Sequence, residues 1–358
     1  MLYLDSFVAS ILLAFHMPFI SLFAIDLGAS PFDIGLITGV APFFYAIMAS
    51  VSGFIIGKIG EVKIIWFSFI GLTLSYFWIS RIDSCLPLLF LNIFSTLSYS
   101  FFWPAVESLI SKKSVSAKWF TTSWSIGTLI GSIFIGLLIE YSKRYVFIIM
   151  SFISLFAFLT SILIKHKENS LEPLKIKEIL YALRSKPFAW IQAYTYSFIQ
   201  GSIFSFYPVI VMNKQFPELY IALVISTITL SRTFLFYIHD MIEKIIENNY
   251  IGGILILVVG GLSFIKNIFI LFIASSMLGL GLGILYIRAI KKSFSSPDSK
   301  RSIYTGLFES FIGLGYSIGP LITGFTSSIS IDYMLVPIAV LGFLFQFSSP
   351  YYSMIKES

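Results

Sequence analysis

Charge is what this sequence has least of. Only 12% of its 358 residues are charged, about half the share found in a soluble domain, so a water-exposed surface over most of the chain is excluded. Cysteine is nearly absent: Cys85 stands alone, which excludes an internal disulfide and gives no support to an oxidising compartment. The three histidines are His16, His166 and His239, and none falls in a His-Glu-x-x-His or related ligand spacing, so no metalloenzyme pattern is present. His239-Asp240 is a lone pair at a span end and reads as an interfacial cap. The stretch Gly53 to Ile59 is too short for a phosphate-binding loop and lacks its hydroxyl, so a built-in nucleotide-driven motor is not expected. Gly279-x-Gly-x-Gly283 lies inside an apolar run, without the strand–helix setting of a dinucleotide fold. Asn-x-Ser/Thr acceptor sites are missing as well.

Apolar sequence fills the space. The chain is 57% hydrophobic with a mean hydropathy of +0.90, and its apolar residues cluster into runs of roughly 18–25 positions, the length that crosses a hydrocarbon core about 30 Å thick. Lipid offers no partner to an exposed peptide group, so each run must be helical. A buried core helix explains one such run but not a dozen in series. Spans are predicted near 5–25, 34–56, 63–80, 86–110, 120–140, 145–164, 188–212, 219–239, 250–265, 267–290, 302–328 and 332–350, the ninth being the shortest. The first has no basic leader and runs on into further spans, so it reads as a retained helix. Between the sixth and seventh lies the one extended polar stretch, Lys165 to Lys186, in which Lys175 to Leu183 has the pattern of an amphipathic surface helix.

The net charge of +6 invites a nucleic-acid reading, but its distribution is topological. With both termini in the cytoplasm, 18 of the 24 Lys and Arg residues fall in inward segments, Lys58 and Lys63 among them. Five fall outside (Arg81, Lys143, Arg144, Lys214 and Lys266), and Arg232 lies within a span. Adding or removing one span would scramble this alternation. The acids Asp26, Asp33 and Asp332 near the outer face read as solvated loop residues.

The chain repeats itself. Lys112-Lys-Ser-Val115 precedes Gly127, Gly131 and Gly136 in the fifth span, and Lys300-Arg-Ser-Ile303 precedes Gly315, Gly319 and Gly324 in the eleventh, every element shifted by 188 residues. Small residues at such spacing are common packing devices in membranes; the shared prefix and offset indicate duplication. Pro18 and Pro208 repeat in the same sense. Six spans per half is an even number, so the halves have one orientation and are related by an axis along the membrane normal, a plan suited to rocking about a central site. The expected fold is an all-α integral membrane protein of about twelve transmembrane helices in two six-helix pseudo-symmetric halves. These are residues 1–165 and 188–358, joined by a cytoplasmic linker, 166–187.

Several stretches resemble the major facilitator superfamily. Leu27 to Leu36 resembles its outer loop between helices 1 and 2, and Gly53 to Lys63, with Lys58 and Gly60, its cytoplasmic loop between helices 2 and 3. Phe102-Trp-Pro-Ala-Val-Glu107 resembles the end of helix 4, and Ser310 to Pro320 helix 11. The likeness covers essentially the whole chain. The sequence departs from the family pattern at Gly57, where the family's loop carries an acid, and at Gly131-Ser132, where its proton-coupled exporters carry Gly-Pro; Pro320 restores that pair only in the eleventh span.

The resemblance implies a central cavity lined by helices 1, 4, 7 and 10, and polar faces occur on those spans. The fourth shows Asn92, Thr96, Tyr99, Trp103 and Glu107 on one face; the seventh shows Gln192, Tyr196, Gln200, Phe204 and Tyr207. The tenth shows a thinner stripe, Ser275, Gly279, Leu282 and Tyr286, and the first offers His16 beside Pro18, where a helix can bend and free a carbonyl. Such stripes line a substrate cavity or glue helices together, at about 0.6–2 kcal/mol per contact. Glu107, Arg232 and Glu309 are ionisable groups at membrane depth, and two readings stand for them. One is a proton relay in which Arg232 alternates between carboxylates; the other is a static cytoplasmic latch, favoured for Glu107. His16 is either a titrating group near neutral pH or a hydrogen-bonded spacer.

The expected function is secondary active transport of small organic solutes by alternating access. It needs no cofactor and no catalytic or metal residue, is coupled to protons or another ion, and operates as a monomer in the plasma membrane. Efflux of neutral or amphipathic compounds is the first reading. Uptake of a sugar, nucleoside or organic acid is the second, and a non-transporting sensor a lesser third. A channel would require a filter loop, for which the outer loops are too short.

Overall fold

The computed structural model describes residues 2–112, 117–164, 176–247, 249–294 and 301–357. Lys113 to Val115, Lys165 to Lys175 and Lys300, which carry parts of the repeat prefix and the linker, lie outside the described residues.

Helices account for nearly everything described. In chain order they are α1 (Leu2–Asp26), α2 (Pro31–Ile59), α3 (Glu61–Ile79), α4 (Cys85–Lys112), α5 (Ala117–Leu138), α6 (Lys143–Ser161), α7 (Ile176–Ser185), α8 (Pro187–Asn213), α9 (Leu219–Ile238), α10 (Glu243–Glu247), α11 (Asn249–Ile256), α12 (Ile268–Phe294), α13 (Arg301–Ile329) and α14 (Val336–Glu357). Eight of them are long and apolar enough to cross a membrane by themselves, among the described residues. α8 and α13, of 27 and 29 residues, are long but more polar. α8 shows why a bundle tolerates this: 21 of its residues are buried, so little of it has to satisfy lipid.

The short ninth span solves its length problem through helix type. α11 has eight residues and continues as eight residues of 3-10 helix, Leu257–Phe264. Sixteen residues of α-helix would reach about 24 Å, whereas half at the 3-10 rise reach about 28 Å, close to the hydrocarbon thickness.

Two turns differ from the sequence reading. The glycine-spaced stretch Gly53 to Lys63 is helical on both sides of a single residue: α2 continues to Ile59, α3 begins at Glu61, and Gly60 makes the whole corner at φ 94°, a conformation glycine adopts without strain. Lys58, Gly53 and Lys63 therefore sit on helices, not in a loop. Asp33 is a capping-box acid rather than a loose loop residue: its backbone N–H donates to Ser30 Oγ at 3.2 Å, and its carboxylate accepts from the Ser30 backbone N–H at 3.1 Å. Asp332 is likewise committed, to Lys214 Nζ at 2.5 Å, and Asp26 closes α1.

The repeated glycines set the packing, in matched fashion. A Cβ at Gly127 would strike the Phe7 carbonyl and one at Gly131 would lie 2.7 Å from Ala14 Cβ, so α5 lies directly on α1. A Cβ at Gly315 or Gly319 would strike the carbonyls of Tyr194 and Phe198, so α13 lies directly on α8. The third member reaches across. Gly136 faces Ala222 of α9 and Gly324 faces Gly35 of α2, while Pro320 packs beside Gly201. The 188-residue shift thus carries each helix contact onto its counterpart, and two bundles of six helices meet along α2/α13 and α5/α9.

Exposed aromatics mark both ends of the bundle. Trp119, Tyr181, Tyr237 and Tyr250 ring the end at which α1 starts, and Trp78, Tyr141, Tyr145 and Tyr333 ring the other, the two interfacial belts of a membrane protein. Phe67, Phe90, Phe152 and Phe272 are exposed between them.

Candidate functional site

A cleft opens between the two bundles, lined by α1, α2, α4 and α5 on one side and α8, α9, α12 and α13 on the other. It holds about 1140 Å³ of space not filled by atoms, its mouth included.

On the first wall, α1 presents His16 and α4 presents Asn92, Thr96, Tyr99, Trp103 and Glu107. They are organised by hydrogen bonds: Tyr76, behind the wall on α3, places its hydroxyl 2.9 Å from that of Tyr99 and 3.3 Å from His16 Nδ1. Asn92 donates to the Ile37 carbonyl at 2.7 Å and keeps its Oδ1 buried, with its side chain beside His16. Glu107 Oε2 is also buried and unpartnered, whereas Ser108 next to it donates to Glu61 Oε1 at 2.9 Å. The contact that ties the end of α4 to the Gly60 corner is thus made by Ser108, and Glu107 faces the cleft.

The opposite wall is built around Arg232, which is 1% exposed. Its Nη1 donates to the Tyr196 hydroxyl at 2.5 Å and to Gln200 Oε1 at 2.6 Å, and Gln200 Nε2 donates to the Tyr316 hydroxyl at 2.9 Å. The rings of Trp124, Tyr196 and Phe236 lie 5.4, 5.9 and 5.9 Å from the guanidinium carbon, within cation–π range. Tyr286 joins this cage, 5.5 Å from Trp124 and 5.0 Å from Tyr196 between ring centres. Glu309 accepts from the Tyr45 hydroxyl of α2 and lies within electrostatic reach of Glu107. No ion pair joins Arg232 to either carboxylate among the described residues.

Of the residues singled out in the sequence, His16, Asn92, Thr96, Tyr99, Trp103, Glu107, Tyr196, Gln200, Arg232, Tyr286 and Glu309 border this one cleft. Gln192 and Tyr207 do not. Gln192 donates to Gln346 of α14 at 2.7 Å, because each four-residue step turns a helix face by about 40°, and two steps carry Gln192 about 80° round α8 from Gln200. Tyr207 lies beyond Phe204, where α8 is buried on every side from Ser205 to Val211. Of the tenth-span stripe only Tyr286 reaches the cleft; Gly279 packs on the Ile228 carbonyl of α9. The lining residues that a search of spans 1, 4, 7 and 10 passes over are Thr38, Pro42 and Tyr45 on α2, Phe120, Trp124 and Thr128 on α5, and Ile312, Gly313 and Tyr316 on α13. The same stripe test applied to those spans finds most of them, since 38/42/45, 120/124/128 and 309/312/316 are helical spacings.

The Major Facilitator Superfamily family model matches residues 2–289. The proton-coupled antiporter flippase LtaA of Staphylococcus aureus (strain USA300) is 25% identical over 341 residues, covering 88% of this chain and 83% of that protein, and the LtaA of strain MRSA252 is 24% identical over the same length. Among solved structures, the nucleoside transporter NupG superposes with a TM-score of 0.80 at 11% identity, over 98% of this chain and 97% of its own. A bacterial homologue of the human lysosomal transporter Spinster superposes with a TM-score of 0.72 at 15% identity, over 97% and 95%.

Proposed function

The chain belongs to the major facilitator superfamily, and from that premise we propose that it is a proton-coupled secondary transporter that exports small amphipathic organic solutes across the plasma membrane. The observation that carries the proposal is the cleft itself. It lies between the two six-helix bundles, and Glu107 and Glu309, one from each bundle, both line it within electrostatic reach of each other. Two carboxyl groups within mutual reach at membrane depth suit the uptake and release of a proton. Rocking of the bundles about the cleft changes their separation and so couples the proton to the motion. Arg232 serves this reading through the Tyr196, Gln200 and Tyr316 network rather than by pairing directly with a carboxylate.

Rings and amides dominate the lining, which suits an organic body with an apolar part. Export is favoured by the relative whose name describes a proton-coupled antiporter flippase. Its identity is low, so uptake of a polar nutrient together with protons is the second reading. The residue ranges 1–165 and 188–358 are proposed as the moving halves, with α7 on the cytoplasmic surface and both termini inside.

Purified protein in liposomes, with an imposed pH gradient and a panel of labelled solutes, tests the assignment. Solute movement that follows the gradient and collapses with a protonophore is expected. Solute movement indifferent to the proton gradient would remove the coupling, and the absence of movement for every solute class would favour a sensor.

A further inference from the structure

We infer that Arg232 is an anchor for an anionic head group, so that the transported solute is an amphipathic monoanion such as an aryl or alkyl carboxylate. The inference deepens the transporter reading and rests on it. A guanidinium carries five donors on a planar fork. In Arg232 the Nη1 edge is committed to Tyr196 and Gln200. The Nε and Nη2 donors are buried and have no partner, although the residue borders the cleft. Nε and Nη2 together form the side of the fork that grips a carboxylate with two parallel bonds. A buried charge with idle donors is costly, and no carboxylate pairs with it among the described residues.

The surroundings prepare that edge for a ligand. Tyr196 and Gln200 fix the fork from one side, and Tyr316 fixes Gln200 in turn. Trp124, Tyr196 and Phe236 surround the guanidinium, which removes water and strengthens any charge-assisted bond made there. Tyr286 and Tyr316 line the cleft together with Arg232 and Glu309, within electrostatic reach of both charges. The same cleft is also lined by the apolar residues Leu13, Met17, Phe204 and Ile312. A single fork in such a cleft suits one negative charge on an apolar body and leaves no clamp for a polyanion.

The test uses the full-length purified protein and three probes that share one body, phenylbutyrate, phenylbutanol and phenylbutylamine, with dissociation constants from calorimetry. The acid is expected to bind about tenfold or more tighter than the alcohol, the size of one charge-assisted contact. Arg232→Gln is expected to collapse the acid-to-alcohol ratio to about one. Gln200→Glu, which keeps the guanidinium but supplies it with a carboxylate, is expected to do the same, and it decides the matter if Arg232→Gln fails to fold. An alcohol or amine that binds the unsubstituted protein as tightly as the acid overturns the inference, as does an acid preference that survives both substitutions. Liposome transport of another solute class would at the same time leave the transporter assignment standing.

Discussion

The Tyr45 hydroxyl on α2 donates a hydrogen bond to the Glu309 carboxylate on α13, so a carboxyl group proposed to carry the proton is held by the opposite bundle. Motion along the α2/α13 seam therefore alters the surroundings of Glu309 directly. Replacing Tyr45 with Phe should lower stability by about 1–3 kcal/mol, the cost of leaving a buried polar group without its partner. The measurement is thermal or denaturant unfolding in detergent, and an unchanged midpoint would show that the bond carries no weight.

Glu309→Gln should abolish pH-driven transport of a known substrate while preserving exchange of that substrate across the membrane. Proton-driven flux and counterflow in liposomes separate the two. Unchanged proton coupling would remove Glu309 from the relay and shift attention to Glu107, whose Oε2 is buried without a partner.

The glycines at which another helix leaves no room for a side chain predict graded damage. Gly315→Ala and Gly319→Ala push a methyl group into the backbone of α8 and should each cost about 1–3 kcal/mol, the usual penalty of overpacking. Gly261→Ala meets nothing within 4 Å and should leave the unfolding temperature close to that of the parent.

The Gln192–Gln346 pair lies off the cleft, so its role should be structural. Each single change to Leu strands a buried amide and should cost about 1–3 kcal/mol, whereas the double change should recover much of the loss. Transport by the double variant should match the parent. Lost transport with a recovered unfolding midpoint would return Gln192 to the substrate path.

Much of the architecture is legible in the chain because hydrocarbon is a demanding solvent. The apolar runs, the alternating basic residues and the 188-residue offset of Gly127 and Gly131 onto Gly315 and Gly319 each report a constraint that lipid imposes on individual segments. The site was less legible. Glu107, Arg232 and Glu309 stand out as charges in apolar sequence. Tyr45, Trp124 and Tyr316 do not stand out singly, because one aromatic residue within a span has the same sequence signature whether it faces lipid, a neighbouring helix or the cleft. Only the helical stripes to which they belong, on spans outside helices 1, 4, 7 and 10, mark them.

By itself the sequence determined the span count and the duplication, since these follow from segment length and repeat spacing. Only the tertiary structure decided which polar faces converge. It turned Gln192 away to Gln346 through the helical drift of four-residue steps, and it placed Arg232 beside Gln200 with half of its fork unpaired. Such outcomes depend on the rotation and depth of one helix against another, and the close approaches permitted by Gly315, Gly319 and Gly324 set these only once the helices have packed.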